Sequence, residues 1–307
     1  MQIVSYRSQG LWRAGILQDS LVIDVAAMNS SSYPSTVLAL LEAGPAAIDQ
    51  LLKQAGDAFE SKSEQLIPLD KLELGPPVPD PDKIICLGLN YREHAMEVQM
   101  STYRVPPLFA KFRNALCGPT SSIVIPRVST QIDYEGELAV VIGRRCKEVS
   151  EHEALTCIAG YTIMNDISAR DLQMQTSQWT AGKTLDTFAP MGPGIVPRND
   201  ISDPQTLQIL TRVNGITLQN GNTRDMIFSV AQTIAFLSSL MTLYPGDIIA
   251  TGTPSGVGFK RQPPVFLKAG DIVEVEIERI GIIRNPVAES DDAGNHRKNF
   301  LTSSKID

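Results

Sequence analysis

Three carboxylates occupy alternate positions in the segment QIDYEGELAVVIG, residues 131–143: Asp133, Glu135 and Glu137. In a β-strand, side chains two positions apart lie on the same face, so Glu135 and Glu137 would be neighbours, with Asp133 farther along the row. The row has two interpretations. It could belong to a strand that emerges into solvent, where the charges cost little. It could also bind a divalent cation, which would replace the repulsion between the carboxylates with ligation.

A candidate for a third oxygen ligand, Asp166, occurs in the segment GYTIMNDISARD, residues 160–171. Asp166 ends an apolar run of the buried-strand type, where the chain is predicted to turn into a helix. Ser168 and Asp171 have the spacing of a capping box, so Asp166 is not needed as the helix cap, although it could simply be a turn aspartate. Three carboxylates without cysteine or paired histidine are typical ligands of a hard ion, Mg²⁺ or Mn²⁺, rather than zinc.

The chain has only three histidines, and His94 has the most informative position. It follows the predicted buried strand KIICLGLN, and Asn90 with Glu93 has the spacing of a helix start. His94 and Glu97 are then three apart on one helical turn and within contact distance. A carboxylate beside an imidazole orients the ring and raises its basicity, as a general base requires. The same spacing also fits an ordinary surface pair.

Two loops contain further candidates. Lys183 follows a glycine and precedes an aromatic, proline-rich loop in QWTAGKTLDTFAPMGP, residues 178–193. A loop lysine is usually solvated, but beside a metal site it could stabilise a developing oxyanion. The glycine-rich ATGTPSGVGF, residues 250–259, lacks both the G-K-[ST] of a phosphate-binding loop and the G-x-S-x-G of a nucleophile elbow. Its glycines permit close backbone approach, with Thr253 as a candidate ligand donor.

The whole chain has the composition of an ordinary soluble globular protein: 307 residues, 43% hydrophobic and 20% charged, with a formal net charge of −7. No Lys/Arg cluster lies on one periodic face, which argues against nucleic acid and anionic membranes as partners. The four cysteines form no C-x-x-C pair, so neither disulfides nor zinc are expected. The start MQIVSYRSQG lacks the build of a signal peptide, and no apolar run is long enough to cross a bilayer. We therefore expect a cytoplasmic protein.

Composition and periodicity divide the chain into three parts. Residues 1–74 predict a small N-terminal α+β module, with short strands followed by helical spacing. The proline-rich GPPVPDPDK, residues 75–83, reads as an extended connector. Residues 75–290 predict a main domain in which strands predominate, with one clear helix in IFSVAQTIAFLSSLM. The polar, aperiodic residues 291–307 predict a flexible tail.

A second acidic row lies in DIVEVEIERIG, residues 271–281. Valine and isoleucine alternate there with Glu274, Glu276 and Glu278, which predicts a half-buried strand with one solvated face. We interpret these three glutamates as a charged surface without a function.

Six segments of the main domain together resemble the fumarylacetoacetate hydrolase superfamily. They are GLNYREHAMEV, DYEGELAVVIG, NDISARDLQ, GKTLDTFAPMGP, RVNGITLQNGNTRDMIF and YPGDIIATGTPSGVGF, and they keep the family's order over about residues 80–285. The likeness is strongest to the small members called fumarylacetoacetate hydrolase domain-containing proteins, whose N-terminal module this chain also resembles. The resemblance implies a mixed α/β, mainly β fold, a β-roll with few helices, assembled as a homodimer.

The resemblance also implies roles for individual residues. Mg²⁺, with Mn²⁺ or Ca²⁺ as substitutes, would be bound by the E-x-E pair, Glu135 and Glu137, and by the motif aspartate, Asp166. A His-x-x-Glu dyad on a short mobile lid helix, here His94 and Glu97, would position a water molecule. The family's other site positions fall on Lys183 as a catalytic group and on Arg170, Gln173 and Thr253 as substrate-binding residues.

The implied substrate is a small 2-oxo or 2,4-dioxo acid. We narrowly favour an acylpyruvase-type hydrolase, which cleaves a C–C bond of an acylpyruvate or fumarylpyruvate through a metal-bound enolate. The alternative is an oxaloacetate tautomerase or decarboxylase, or a 2-hydroxy-dienedioate isomerase, with the same groups and no attacking water. A non-enzymatic binding protein would predict a lost ligand or a broken dyad, and a serine hydrolase would leave the acidic row unexplained.

Overall fold

The computed structural model describes residues 1–28, 34–99 and 103–290, and the predicted tail, residues 291–307, lies outside the described residues. The helices are α1 (Val25–Met28), α2 (Val37–Glu42), α3 (Pro45–Glu60), α4 (Arg92–Glu97), α5 (Glu151–Ala154), α6 (Arg170–Gln173), α7 (Thr180–Lys183) and α8 (Val230–Leu240). The strands are β1 (Gln2–Ser8), β2 (Leu11–Gln18), β3 (Leu21–Asp24), β4 (Leu66–Pro68), β5 (Glu73–Leu74), β6 (Ile84–Leu87), β7 (Leu108–Lys111), β8 (Leu116–Cys117), β9 (Ile123–Ile125), β10 (Ile132–Asp133), β11 (Gly136–Ile142), β12 (Ile158–Asn165), β13 (Ser168–Ala169), β14 (Ala189–Pro197), β15 (Gln208–Val213), β16 (Ile216–Asn222), β17 (Ile248–Ala250), β18 (Ile272–Ile277) and β19 (Gly281–Glu289).

The N-terminal strands form a meander because their apolar runs are separated by tight turns. β1 and β2 pair along their whole length around Gln9 and Gly10, which have φ values of 50° and 79°. Glycine adopts this left-handed conformation without a steric cost. Thr36 caps α2 by accepting the Ala39 N–H at 3.3 Å, and Pro45 begins α3, where the missing N–H leaves no hydrogen bond unmade. Both helices pack against β2.

A 12-stranded sheet extends through the molecule in the order β4-β3-β2-β1-β14-β12-β11-β17-β6-β7, with β5 beside β1 and β8 beside β14. Most neighbouring strands are antiparallel, but β17 pairs parallel with β6. β1 pairs with β14 through Ile3 and Ile195, so the N-terminal strands and the main domain share one sheet. The domain boundary at residue 74 remains a prediction.

A second sheet has five strands in the order β16-β15-β18-β19-β9. It lies against β11 and β12. Gly136, the first residue of β11, makes the close approach feasible, since a Cβ there would lie 2.3 Å from Thr211 Oγ1 and 2.9 Å from Val275 Cγ1. The backbone between Glu135 and Glu137 is therefore held directly against the second sheet.

β11 is buried on both faces, as its nearly continuous apolar sequence predicts. Ala139 and Val141 belong to the core shared with the N-terminal strands and helices. Leu138, Val140 and Ile142 belong to the core beneath the second sheet and α8. Burial of each Val, Leu or Ile side chain contributes about 1.5–3 kcal/mol, and truncation of Leu138 to alanine should cost about 2–5 kcal/mol. This doubly buried strand is a rigid support for the glutamates at its start.

The mainly β fold with few helices is confirmed across the described residues. The helix predicted in residues 227–241 is α8, and Ser229 and Gln232 form a reciprocal capping box at its start. Within the described part of the chain, no helix is long and apolar enough to cross a membrane.

Two predicted helix caps were wrong, and the reason is the same in both cases. Asn90 does not cap α4, which begins after Tyr91; its amide instead donates to the carbonyls of Phe228 and Thr251 at 3.0 and 2.7 Å. Ser168 lies in β13 and its hydroxyl donates to the Asp166 carbonyl at 3.0 Å. Each side chain satisfies a backbone group outside the helix that its spacing suggested.

Candidate metal centre and active site

Three buried carboxylates converge where β11 and β12 pair. Glu135 directly precedes β11, Glu137 is its second residue, and Asp166 follows β12. The ladder pairs Gly136 with Asn165, and the Asp166 N–H donates to the Glu135 carbonyl at 2.8 Å. One oxygen atom from each carboxylate lies within 4.8 Å of the others. The strand pairing thus brings the three predicted ligands together, and their role as ligands remains a prediction.

Two buried lysines face Asp166 from different elements. Lys183, the last residue of α7, donates to Glu135 Oε2 at 2.6 Å and to Asp166 Oδ2 at 2.8 Å. Lys111, the last residue of β7, lies 2.7 Å from Asp166 Oδ1 and donates to the carbonyls of Ile167 and Lys183. Burial opposes a charged ammonium, but Asp166 and Glu135 outweigh it and raise the pKa of Lys183. At Lys111 burial prevails over Asp166 and lowers the pKa.

Arg170, the first residue of α6, connects the site to Asp133, the remaining carboxylate of the acidic row. Its Nε donates to Asp133 Oδ2 at 2.9 Å, and its two terminal nitrogens donate to Glu135 Oε1 at 2.6 Å and to Gln173 Oε1 at 2.9 Å. Asp133 also accepts three backbone N–H groups, at 2.9, 2.8 and 3.1 Å. These donors belong to Tyr134, Gly258 and Phe259. Asp133 therefore anchors a loop and is not one of the three predicted ligands.

The two glutamates face different amounts of positive charge. Burial would raise the pKa of Glu135, but Arg170 and Lys183 hold it below its ordinary value. Burial, followed by the charges of Asp166 and Glu135, raises the pKa of Glu137 well above its ordinary value. Glu137 accepts the Gly252 N–H at 2.8 Å and forms no ion pair within the described residues. The charge of Glu137 is thus the one that the protein itself compensates least.

A divalent cation fits this donor set. Oxygen ligands lie about 2.0–2.6 Å from Mg²⁺ or Ca²⁺, so oxygens that share one ion lie within about 4–5 Å of each other, as the three carboxylates do. Asp166 Oδ1 accepts no hydrogen bond within the described residues, although Lys111 is close. Three carboxylate ligands favour a hard cation, but they do not distinguish between Mg²⁺, Mn²⁺ and Ca²⁺.

His94 and Glu97 lie on α4, and their side chains are in contact. His94 Nδ1 is 3.2 Å from Glu97 Oε2. Glu97 also accepts the Gly256 N–H at 3.0 Å, which joins α4 to the glycine-rich loop. The carboxylate orients the imidazole through Nδ1, so Nε2 is the ring nitrogen that a substrate could reach.

A cavity of about 100 Å³ unites most of the predicted site residues. Seven of the nine line it, and the other two contact lining residues: Glu97 contacts His94, and Asp166 contacts Lys183. The remaining wall is largely apolar and aromatic. The seven are His94, Glu135, Glu137, Arg170, Gln173, Lys183 and Thr253, and the other lining residues are Leu87, Gly88, Leu89, Val98, Phe109, Met174, Trp179 and Phe259.

Thr253 is held by the protein at this cavity. Its hydroxyl donates to the Gly136 carbonyl at 3.0 Å and accepts a hydrogen bond from Gln219 Nε2 at 2.8 Å. Gln219 Oε1 in turn accepts the Gly136 N–H at 3.0 Å. This network fixes the backbone between the two glutamates, and the predicted contact of Thr253 with substrate remains a prediction.

Sequence reasoning missed several residues that shape the site. Lys111 interrupts the apolar run PPLFAKF, and a charge within a strand-like run was the signal that could have identified it. Two aromatic rings lie over the site cations: Phe109 is 4.9 Å from Lys183 Nζ, and Phe259 is 4.4 Å from the Arg170 guanidinium carbon. An isolated aromatic residue carries no comparable sequence signal.

Comparison with known proteins assigns this geometry to a family. The family model described as fumarylacetoacetate (FAA) hydrolase C-terminal matches residues 83–288. A fumarylacetoacetate hydrolase domain-containing protein 2 homolog of Dictyostelium discoideum is 44% identical over 286 residues, which cover 90% of this chain and 92% of that protein. The chain belongs to the fumarylacetoacetate hydrolase family.

Two further family relatives bear on the chemistry. A mitochondrial oxaloacetate tautomerase of Xenopus laevis is 44% identical over 268 residues, which cover 87% of this chain and 82% of that protein. The crystal structure of maleylpyruvate hydrolase from Sphingobium sp. SYK-6, in complex with manganese(II) ion and pyruvate, is 30% identical, covers 94% of this chain and 100% of that chain, and has a TM-score of 0.77. This fumarylacetoacetate hydrolase family member is accordingly an enzyme of the tautomerase or hydrolase kind.

Proposed function

We propose that this family member catalyses the keto–enol tautomerisation of oxaloacetate. The observation that carries the proposal is its 44% identity to the Xenopus laevis oxaloacetate tautomerase over 87% of the chain. The maleylpyruvate hydrolase of Sphingobium is less similar, at 30% identity. The tautomerase that the sequence analysis kept as its alternative is therefore better supported than the acylpyruvase that it favoured.

The charges at the carboxylate end of the cavity suit a 2-oxo acid. A divalent ion at Glu135, Glu137 and Asp166 would supply Lewis acidity and a chelation point for the 2-oxo acid end of the substrate. Lys183 is held within 2.8 Å of two of these carboxylates. Its ammonium group adds positive charge where the C2 oxygen becomes negative as a proton leaves C3.

The histidine dyad suits the proton transfer. Tautomerisation of the keto form breaks one C3–H bond and forms one O–H bond on the C2 oxygen, so it needs a base but no attacking water. His94 Nε2 would accept the C3 proton, and Glu97, 3.2 Å from Nδ1, would orient the ring and stabilise its charged form. The enolate oxygen at C2 then takes a proton from the His94 imidazolium or from solvent water, which completes the O–H bond. In the reverse reaction the enol gives up its O–H proton and His94 delivers a proton to C3.

Two predicted substrate contacts keep supporting roles in this proposal. Gln173 accepts a hydrogen bond from Arg170 through Oε1, so its amide N–H groups can donate to a substrate carboxylate. Arg170 is engaged with Asp133, Glu135 and Gln173. We therefore propose that Arg170 acts mainly by holding Glu135 in position.

The test is the rate at which the enol form of oxaloacetate disappears, followed by ultraviolet absorbance and proton NMR. We expect acceleration by protein with Mg²⁺ over Mg²⁺ alone, and no acceleration with excess EDTA. The variant His94→Gln should fall to the protein-free rate, because the base is lost. The matched control is His152→Gln, which removes an exposed histidine from α5 and should retain the wild-type rate.

Hydrolysis of a C–C bond is the second candidate. The observation that favours it is the similarity in fold to the maleylpyruvate hydrolase bound to manganese and pyruvate. Proton NMR with acetylpyruvate separates the two: Mg²⁺-dependent acetate and pyruvate, without acceleration of oxaloacetate enol decay, would contradict the tautomerase proposal and support the hydrolase. Release of pyruvate from oxaloacetate would identify a decarboxylase instead.

Three finer properties also remain proposals: Mg²⁺ as the resident ion, a homodimer, and a cytoplasmic location. The three carboxylates suit Mg²⁺, Mn²⁺ or Ca²⁺. Metal analysis and light scattering of the purified protein would determine the ion and the oligomeric state. Fractionation of the producing cells would determine the location.

A further inference from the structure

Trp179 is connected to the carboxylate site through Phe109 and Lys183. Both Trp179 and Phe109 line the cavity. The Phe109 ring centroid is 4.9 Å from Lys183 Nζ, and the Trp179 ring meets Phe109 edge-on, with centroids 5.6 Å apart and planes at 72°. Together, these two distances place the centroid of the indole no farther than about 10.5 Å from the ammonium of Lys183. Lysine, phenylalanine and tryptophan thus form one continuous side of the cavity.

Gly88 fixes the position of the indole from the other side. This residue directly follows β6, and a Cβ there would lie 2.3 Å from Trp179 Cζ3 and 2.7 Å from Cη2. Such distances are far inside van der Waals contact, so the indole rests on the bare backbone of the glycine. With Phe109 at its edge and Gly88 beneath it, the ring has little freedom to move away from the cavity.

The space that these residues enclose is small. The cavity has a volume of about 100 Å³. Pockets for drug-sized ligands are typically about 300–1,000 Å³. A four-carbon chain has three C–C bonds of about 1.5 Å, so its carbon atoms span less than about 4.5 Å. A chain of this length suits a cavity of about 100 Å³, whereas an aryl or long acyl group would crowd its largely apolar wall, to which Trp179 belongs.

We propose that Trp179 is a specificity-determining residue that limits the substrate to 2-oxo acids with a short group beyond the oxo carbon. The inference deepens the proposed function, since oxaloacetate is an acid of this class. Trp179 acts by size alone: the head of the acid is held at the carboxylates and Lys183, and the indole excludes bulky substituents at the other end. Replacement by a small residue should therefore widen selectivity without weakening the binding of the head.

The test is ligand binding to Mn²⁺-loaded protein, measured by calorimetry, so that it does not depend on turnover. Oxalate represents the head alone, and phenylpyruvate adds an aromatic ring to the same head. In Trp179→Ala we expect the affinity for phenylpyruvate to rise at least about tenfold relative to oxalate, the size of effect that pocket shape commonly produces. The affinity for oxalate should stay within about twofold, and Trp179→Phe should fall between alanine and the wild type.

Trp12 provides a matched control, because it is the other tryptophan of the chain and also rests on a glycine. A Cβ on Gly75 would lie 2.4 Å from Trp12 Cζ3, and the Trp12 ring packs against Arg7 in the N-terminal strands. Trp12→Ala should leave the ratio of the two affinities unchanged. An unchanged ratio in Trp179→Ala with intact oxalate binding, or an equal shift in Trp12→Ala, would overturn the inference.

Failure of this inference is separable from failure of the proposed function. A wild-type protein that binds oxalate and rejects phenylpyruvate, with the rejection relieved in Trp179→Ala, supports the inference even if it does not accelerate enol decay of oxaloacetate. A protein that accelerates enol decay but binds phenylpyruvate equally well with and without Trp179 retains the function and loses the inference. Absence of oxalate binding to the wild type would overturn the inference and the metal site together.

Discussion

Two rows of alternating carboxylates have the same spacing in the sequence and opposite surroundings in the structure. The buried row is Asp133, Glu135 and Glu137, and the exposed row is Glu274, Glu276 and Glu278. Every member of the buried row is at most 5% exposed, whereas those of the exposed row are half-buried or exposed. The alternation in sequence predicts only that the side chains lie on one face of a strand. The packing of strands distant in sequence decides whether that face borders a closed cavity or solvent.

The buried row is itself divided. Asp133 accepts three backbone N–H groups and one arginine hydrogen bond. Glu137, four residues along, accepts one backbone N–H and faces two other carboxylates. A carboxylate whose charge is satisfied by protein donors supports the fold, and one left with uncompensated charge is suited to bind an ion.

Glu137→Gln should remove the metal site while the fold is retained. Loss of a group that merely orients a ligand costs about 10–100-fold in metal affinity, so loss of a ligand should exceed about 100-fold. Calorimetry with Mn²⁺ measures this directly, and enol decay of oxaloacetate should fall to the protein-free rate. Thermal unfolding in EDTA should show no loss of stability, because the substitution removes a repelled charge. Wild-type Mn²⁺ affinity in this variant would contradict the metal site.

Asp133→Asn should have the opposite effects: it should lower the stability of the fold and leave Mn²⁺ binding largely intact. With the amide nitrogen in place of Oδ2, a donor replaces the acceptor, so the Phe259 N–H and the Arg170 Nε–H lose their partner. Removal of one member of a buried pair typically costs about 3–5 kcal/mol, which urea unfolding in EDTA would measure. The three ligands are untouched, and we expect Mn²⁺ affinity to change less than tenfold. A stable variant with lost metal binding would show that Asp133 belongs to the metal site instead.

The stability of the metal-free protein should depend on pH through Glu137. Burial, with Asp166 and Glu135, raises its pKa well above 4.5, so above pH 4.5 the folded state retains a proton that the unfolded chain has released. Stability therefore falls as the pH rises from about 4.5 towards the raised pKa, by up to about 1.4 kcal/mol per pH unit. Urea unfolding in EDTA at a series of pH values should show this slope in the wild type and a flatter one in Glu137→Gln. Parallel profiles would contradict the difference in charge compensation.

The site residues that could be predicted are those encoded by short local spacings. Glu135 and Glu137 are adjacent on one strand face, and His94 and Glu97 share one helical turn, so secondary structure alone brings each pair together. Asp166 is brought to them by the pairing of β11 with β12, which no local pattern specified, and its assignment came from the motif of the family. The mainly β fold followed from the same resemblance and from the apolar strand patterns.

The residues that escaped prediction act over long sequence separations. Lys111 reaches Asp166 across 55 positions, and Trp179 rests on Gly88 across 91 positions. No local pattern specifies such contacts. Asn90 shows the converse error. Its spacing suggested a cap for the next helix, but its amide donates hydrogen bonds to the carbonyls of Phe228 and Thr251, more than 130 positions away.

Glu276→Gln should have the smallest effect, because it tests the exposed row. Glu276 lies 2.7 Å from Arg212 on the neighbouring strand, with its side chain 44% exposed. Exposed ion pairs of this kind contribute about 0.2–1 kcal/mol and weaken as salt is added. Urea unfolding should show a loss of that size at low salt and less at high salt, with Mn²⁺ affinity and enol decay as in the wild type. A loss as large as that of Asp133→Asn would mean that solvent does not screen the exposed row, and the contrast between the two rows would no longer hold.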